Sequence, residues 1–337
     1  MLTVKDAFER GANNFHLLRL LAALAVIYGH SYHITGQPGG DLFLMTVGFK
    51  FIGGVAVDIF FVVSGFLICG SLERNTVGSY LAARCLRIFP AMIVALLLSV
   101  FVVGPLLTND PIYWTNPQTW RYLFNNGLMW STEYSLPGVF TGNPDTGFNG
   151  SLWSLPVEFR LYLLFLLLSS VGLLRKGPFT ALSIITLLVG LWAVPRYAIF
   201  TQYANWVNVS AYFFAGALIW KRRDEVVLSP WGVLAVIGLC MLFHGTDQFY
   251  IAFFVALVYL TFYLGFLQVP GLPEIKRRDL SYGVYLYGWP VQQIVLLMAP
   301  GQSAMFNTIV SSLIALTLAF LSWQLIESPA LKLKKRR

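Results

Sequence analysis

The sequence predicts an all-α polytopic membrane protein, a bundle of about ten transmembrane helices with both termini in the cytoplasm. Two observations predict this class. The 337 residues are 57% hydrophobic and 11% charged, whereas about a quarter of the residues of a soluble domain are charged. The apolar residues also fall in runs long enough to cross a bilayer, which takes about 20 residues. A soluble enzyme, a disordered chain and a secreted disulfide scaffold are therefore excluded.

Ten apolar runs qualify as spans. They cover residues 17–35, 52–70, 88–107, 151–171, 179–196, 206–220, 230–244, 249–268, 282–298 and 305–326. The first run contains Ala23-Leu24-Ala25, which imitates a signal-peptide cleavage site, but the apolar stretch before it is short and is interrupted by Arg19. We interpret it as a retained, functional helix. The longest connection, 108–150, is predicted to be an interfacial, partly ordered outer loop within a single domain that spans 1–337.

The basic residues set the predicted orientation. With the N-terminus inside, 18 of the 23 basic residues lie on the cytoplasmic side and three lie outside, which is the asymmetry of the positive-inside rule. The three outer ones are Lys50, Arg121 and Arg196. The net charge of +8 is thus explained by topology, and nucleic acid is not an expected partner. Cys69, Cys85 and Cys240 have no metal-ligand spacing and are predicted to be buried packing residues.

Ionisable side chains inside the spans are the candidate site residues, because burying a charge in the bilayer is costly. Arg19 and His30 are eleven positions apart, so on one helix they share a face and lie about 16 Å apart along its axis. This spacing predicts a polar path from the inner surface to a deep imidazole. Two alternatives stay open: Arg19 as an anchor that snorkels to the surface, and His30 as a hydrogen bond between helices.

Two acids lie in the spans as well. Asp58, in a glycine-bearing apolar run, needs a partner, for which a histidine on a neighbouring helix is one choice and a structural bond within the bundle is the other. Glu158 lies about a turn and a half into the fourth span. It is a candidate proton acceptor or sugar ligand, or else a partner of Arg160, although Arg160 points roughly 200° away on an ideal helix.

Two further segments carry polar groups. Arg84 and Arg87 lie three positions apart at the inner mouth of the third span, where they could fork a phosphate or simply supply inside-positive charge. Residues 281–290 predict an aromatic, glycine-broken helix, followed by Gln292 and Gln293. Its tyrosines and the two glutamines suit contacts to carbohydrate or ordinary packing.

These groups allow a limited chemistry. The sequence contains no glycine-rich phosphate loop, no Gly-x-Ser-x-Gly motif and no metal-ligand cluster. A deep histidine can take the proton of a hydroxyl that attacks a thioester, and a carboxylate can orient that histidine. The residues therefore favour acyl transfer across the membrane. A proton-coupled transporter that uses the same His, Asp and Glu set is the alternative, and a non-catalytic membrane sensor is a third hypothesis.

The set of motifs resembles the acyltransferase-3 family of integral-membrane O-acyltransferases. The motifs extend from the first span to the last: Arg19 with His30, the run 54–66 around Asp58, Arg84-x-x-Arg87, Ser151 to Glu158, Ser281 to Leu286, and Glu327-Ser328-Pro329. The sequence departs from many members at Tyr287-Gly288-Trp289-Pro290, where those members carry a histidine. Because the sequence ends soon after the tenth span, no fused extracytoplasmic esterase-like domain, which some members carry, is expected.

The resemblance implies a ten-helix enzyme of the inner (plasma) membrane with no metal. Its expected reaction moves an acyl group, acetyl or alternatively succinyl, from cytoplasmic acyl-CoA to a hydroxyl of an extracytoplasmic or lipid-linked polysaccharide. His30 is then the expected catalytic base, and Glu158 and Asp58 complete the catalytic set. Arg19, Arg84 and Arg87 are expected to serve the binding of the acyl-CoA donor.

Overall fold

A computed structural model of the chain describes residues 2–190, 203–268 and 278–333. The chain is 74% helical, and the sheet found in the described ranges is one antiparallel pair, β1 (Leu2–Thr3) with β2 (Val227–Leu228). The all-α class is therefore confirmed. Part of the predicted span 179–196, together with Arg196, Lys276, Arg277 and the tail 334–337, lies outside the described residues.

Fifteen α-helices are described across these ranges. In chain order they are α1 Val4–Glu9, α2 Phe15–Ile34, α3 Leu42–Val47, α4 Ile52–Arg74, α5 Val77–Leu98, α6 Gly104–Leu107, α7 Pro117–Gly127, α8 Ser154–Ser170, α9 Lys176–Leu188, α10 Ala204–Lys221, α11 Pro230–Phe243, α12 Phe249–Phe266, α13 Ser281–Met298, α14 Ala304–Ser322 and α15 Ser328–Lys332. Two short π-helical segments, Ser99–Val103 and Trp323–Glu327, continue α5 and α14, and a short 3-10 helix, Gly150–Trp153, leads into α8.

Six of these helical stretches are long and apolar enough to cross a membrane. They are Phe15–Ile34, Ile52–Arg74, Val77–Leu107, Gly150–Ser170, Phe249–Phe266 and Ala304–Lys332, and α9 and α11 are shorter apolar helices. The multi-pass character of the chain is confirmed at this level. The count of about ten spans and the cytoplasmic position of both termini stay predictions.

Several local expectations are corrected. The helix of the third predicted span begins at Val77, not near residue 88, because the polar turns that carry Arg84 and Arg87 are helical too. Helix α13 is continuous through Gly288 and Pro290 rather than broken. Of the three free cysteines, Cys69 is buried and the other two are half-buried.

The connection 108–150, predicted to lie outside, is folded more fully than the sequence suggests. It contains α7, whose N-cap Asn116 accepts a hydrogen bond from the backbone N–H of Gln118. The Thr108 hydroxyl donates to the Pro137 carbonyl at 2.6 Å, and the Asn126 amide donates to the Glu133 carbonyl at 2.9 Å. These side chains satisfy backbone groups that would otherwise lack partners, as a non-repetitive segment requires.

The chain divides into two compact units. Unit 1 comprises Met1–Arg19, Val57–Thr76 and Leu161–Arg277, and unit 2 comprises Leu20–Ala56, Val77–Arg160 and Arg278–Arg337. Within unit 1, α4 and α10 approach through glycines: a Cβ atom on Gly65 would lie 1.9 Å from the Phe213 carbonyl oxygen, and one on Gly216 would lie 2.0 Å from the Val62 carbonyl oxygen. Small residues that let helix backbones approach closely are typical of membrane helix pairs.

Candidate active site

His30 lies in the part of α2 that belongs to unit 2, between two aromatic rings. Its ring centroid is 4.7 Å from that of Trp289, edge to face, and 5.5 Å from that of Phe51. The close approach of backbones explains the second contact, because a Cβ atom on Gly29 would lie 2.7 Å from the Gly53 nitrogen. Glycine at position 29 thus brings the start of α4, and Phe51 with it, against the histidine.

One ring nitrogen of His30 lies in an apolar surrounding. Nδ1 is buried and has no hydrogen-bond partner in the part of the chain that the structure describes. A carboxylate that orients the ring through Nδ1 is therefore not seen among those residues. Packing between Trp289 and Phe51 fixes the ring plane instead.

A loop segment, residues 143–150, which the predicted topology places outside, is hydrogen-bonded to α13 beside His30. The Trp289 indole donates to the Gly147 carbonyl at 2.9 Å, and the Gln293 amide donates to the carbonyls of Asp145 and Gly147, each at 2.8 Å. Asn149 donates from its side chain to a carbonyl of α13 at 3.0 Å. Because Trp289 touches His30 and also holds this segment, the outer loop and the histidine share one rigid contact.

A second tether joins the same segment to α2. His33 Nε2 and Asp145 Oδ2 are 2.6 Å apart, and 65% of the His33 side chain is exposed against 21% for Asp145. His33 lies three positions after His30, so the tether and the candidate base sit one helical turn apart. The sequence reasoning missed both members of this pair. The signal was the density of polar residues at 143–149, which a hydropathy profile treats as an ordinary loop.

A buried cluster of polar side chains joins α2, α13 and α14. Gln292 donates to the Ile27 carbonyl at 2.8 Å and to the Ser31 hydroxyl at 2.7 Å, and Asn307 donates to the Gln292 carbonyl at 3.0 Å. Thr308 donates to the Ser31 hydroxyl at 2.8 Å. This network is the interhelical hydrogen bonding that holds membrane bundles together.

The sequence left two alternatives for the polar groups of α13, contact with carbohydrate and packing within the bundle. Gln292 and Gln293 are fully buried and bonded within unit 2. The Tyr285 hydroxyl donates to the Ser151 carbonyl at 2.9 Å, and the Tyr282 hydroxyl donates to the Ile88 carbonyl at 2.8 Å. The packing alternative is the one that these contacts support.

Arg87 forms a buried ion-pair cluster. Its guanidinium bonds Asp279 at 2.6 Å and Glu327 at 3.1 Å, and the three side chains are 17%, 7% and 2% exposed. The Ser322 hydroxyl donates to Glu327 at 3.1 Å, and the guanidinium lies over the Tyr282 ring at 5.5 Å. Two carboxylates thus neutralise Arg87. Its predicted contact with donor phosphates stays a prediction, as does that of Arg84, which is half-buried three positions earlier on α5.

Arg19 belongs to unit 1, where its guanidinium lies 5.6 Å from the centroid of the Phe60 ring. Helix α2 is continuous from Phe15 to Ile34. The prediction that one helix carries both Arg19 and His30 is therefore confirmed, and the shared face follows from the 3.6-residue turn.

The two remaining acids have different surroundings. Asp58, in unit 1, is fully buried and accepts a hydrogen bond from the Asn208 amide at 3.1 Å. One of its partners is thus an amide on α10, and the Tyr212 hydroxyl of the same helix also bonds the carboxylate. In unit 2, Glu158 lies close enough to Tyr282 and Tyr285 to interact electrostatically with both hydroxyls.

Arg160 reaches the outer loop, in keeping with the angle predicted between it and Glu158. Its Nη2 donates to the Trp130 carbonyl at 2.7 Å and to the Met129 carbonyl at 3.3 Å. The loop turns sharply here, since Met129 has a φ of 54°. Arg160 therefore helps to close the loop over the start of α8.

Helices long and apolar enough to cross a membrane define a multi-pass membrane protein, and comparisons with known proteins name its family. Residues 13–327 match the family described as "Acyltransferase domain", acyltransferase 3. The chain is 28% identical to the "O-acetyl transferase" of Shigella phage Sf6, over 94% of this chain and 95% of that protein. It is 30% identical to "Nodulation protein 10" of Rhizobium leguminosarum bv. viciae, over 96% and 94%.

A third relative covers less of the chain. "Acyltransferase MdmB" of Streptomyces mycarofaciens is 30% identical over 48% of this chain and 39% of its own length. No solved structure matches the chain with significance. The chain belongs to the acyltransferase-3 family. It is an O-acyltransferase, an enzyme that transfers acyl groups other than aminoacyl groups.

Proposed function

We propose that this enzyme moves an acetyl group from cytoplasmic acetyl-CoA to a hydroxyl of a polysaccharide or lipid-linked oligosaccharide on the outer side of the inner (plasma) membrane. The observation that carries the proposal is the position of His30 on α2, walled by Trp289 and Phe51 and one turn from the outer tether. Acetyl is preferred to succinyl because the phage relative bears the name "O-acetyl transferase".

In this proposal His30 acts as the general base. It takes the proton of the acceptor hydroxyl as the hydroxyl oxygen attacks the thioester carbonyl. The new C–O bond forms, the C–S bond breaks, and the leaving thiolate takes the proton back from the imidazolium. The products are an ester and free CoA. The aromatic walls exclude water, which would otherwise compete with the sugar hydroxyl for the acyl group.

The other predicted residues take supporting roles in the proposal. Glu158, beside Tyr282 and Tyr285, is a polar group on the acceptor side of α8. Asp58 holds α4 to α10 through Asn208 and so keeps the helices of unit 1 in register.

Arg19 and Arg84 are proposed to attract the anionic donor. Arg87, which two carboxylates bind, is proposed to secure the ends of α13 and α14. A salt bridge buried in this way is costly to break on one side, so Arg87 acts on donor binding through the fold.

The test is a transfer assay on purified protein in nanodiscs, with radiolabelled acetyl-CoA and a lipid-linked or polymeric glycan. We expect labelled ester from the wild type and a loss of about 10²–10⁴-fold in kcat from His30→Ala, the usual contribution of a general base. His244→Ala is the matched control, because His244 lies in unit 1, at the turn before α12. Undiminished transfer by His30→Ala refutes the mechanism. Acceptor-dependent proton flux without acyl-CoA would assign the chain to transport instead.

A further inference from the structure

Unit 1 contains a basic cleft that the proposed function does not use. It has a volume of about 640 Å³ and lies where α4, α8 and α10 end and α9 begins. We define the basic cleft by its lining residues, Leu72, Glu73, Ser169, Ser170, Gly172, Leu174, Arg175, Lys176, Lys221 and Arg223. Small-molecule sites in proteins are clefts of about 300–1,000 Å³. The predicted topology places this end of unit 1 on the cytoplasmic side.

The lysines of the basic cleft are already paired. Lys221 bonds Glu73 at 2.6 Å. Lys176 bonds Asp224 at 3.4 Å and also bonds Glu225. The hydrogen bond from Lys176 holds the pKa of the Glu225 carboxyl below its usual range, so this pair is intact at neutral pH.

The arginines of the basic cleft are different. Within the described ranges, neither Arg175 nor Arg223 forms an ion pair with a carboxylate. Arg223 is held in place, since it donates to the Trp220 carbonyl at 2.8 Å and lies over the Trp220 ring at 4.3 Å. Arg175 is exposed at the N-cap of α9, where it makes no side-chain capping bond.

We propose that the basic cleft binds phosphate groups, with Arg175 and Arg223 as their ligands. If the proposed function holds, on which this assignment of the source rests, the phosphates are those of the nucleotide part of acyl-CoA. Guanidinium groups bind phosphate oxygens in a two-pronged geometry that lysine cannot match. The thirteen-residue helix α9 begins in the wall of the cleft, and a helix N-terminus adds favourable potential for an anion.

The state of Arg87 strengthens this assignment. The sequence suggested that Arg84 and Arg87 together fork the donor phosphates, but two carboxylates hold Arg87. The basic cleft supplies two guanidinium groups that no carboxylate in the described part of the chain bonds directly, although the charge of Arg223 acts on Glu73 and Asp224 from farther away. In the predicted topology they lie on the side of the membrane from which a soluble nucleotide arrives. The headgroup of an anionic lipid carries the same chemistry and is the second source that the experiment must separate.

The experiment measures CoA binding by calorimetry to purified protein in nanodiscs of phosphatidylcholine alone. The variants are the double replacement Arg175→Ala with Arg223→Ala and, as matched control, Arg10→Ala, an exposed arginine of unit 1 outside the cleft lining. We expect the double variant to raise the Kd for CoA about tenfold or more, as the loss of charge-assisted hydrogen bonds predicts. The affinity for dephospho-CoA, which has one phosphate fewer, should fall less than the affinity for CoA when the two arginines are replaced. The control variant should bind CoA as the wild type does.

A second arm distinguishes the sources. Phosphatidylglycerol retained by the purified protein is counted by native mass spectrometry for the wild type and the double variant. Unchanged CoA affinity in the double variant, with loss of retained phosphatidylglycerol, would overturn the nucleotide assignment and give the cleft to a lipid headgroup. Unchanged binding of both would overturn the phosphate site itself. If the wild type binds CoA through the two arginines but forms no ester, the proposed function fails while the phosphate site stands.

Discussion

Replacing Arg87 by alanine tests whether this arginine serves the fold or the donor. The change removes the guanidinium that bonds both Asp279 and Glu327, which are 7% and 2% exposed. Breaking a buried ion pair from one side costs about 3–5 kcal/mol, because the remaining charge stays buried. Here one replacement removes two such bonds, so we expect a loss at the upper end of that range.

The assay is thermal unfolding of the purified protein in detergent, followed by intrinsic tryptophan fluorescence, with CoA binding measured on the same samples. The triple variant Arg87→Met, Asp279→Asn, Glu327→Gln removes all three charges together. It should recover most of the lost stability, because the penalty comes from the unpaired acids and not from the missing arginine. An Arg87→Ala protein that melts at the same temperature as the wild type, yet binds CoA poorly, would refute the reasoning. It would assign Arg87 to donor binding instead.

Three further predictions concern other parts of the molecule. Arg84→Ala should raise the KM for acyl-CoA more than the KM for the glycan in steady-state kinetics; the opposite order would make Arg84 a topological charge only. Gly65→Ala should lower the melting temperature, since the added Cβ meets a backbone carbonyl at 1.9 Å, and overpacking costs about 1–3 kcal/mol. Gly78→Ala, where a Cβ meets nothing within 4 Å, is its control and should be neutral or stabilising; equal melting of the two would contradict the close helix approach. Asp145→Asn should raise the KM for the glycan by about fivefold at most, which is the scale of a largely exposed ion pair. A change in the KM for acyl-CoA alone would contradict the proposal that the His33–Asp145 pair lies on the acceptor side.

Local signals in the sequence predicted the parts of the site that lie within one helix. The apolar runs located α2, α4 and α12, and the spacing of Arg19 and His30 placed both on one helix. The same signals set the start of α5 too late, because hydropathy reports only the part of a helix that is apolar.

Contacts between distant positions could not be predicted in this way. Arg87 meets Glu327 across 240 positions, and His33 meets Asp145 across 112. A single sequence carries no periodicity that joins such pairs, so the acids that neutralise Arg87 were not foreseen. The outer segment was missed for the same reason, since its contacts with α13 are made by loop residues whose partners lie in another helix.

The single indole of Trp289 has a consequence for how acceptor preference can change in this protein. One face of the ring meets His30, and its N–H anchors Gly147. Substitutions at 143–150 are therefore expected to move the His30 ring together with the loop. If the proposed function holds, changes in acceptor preference should be easier to engineer at loop positions that do not contact Trp289.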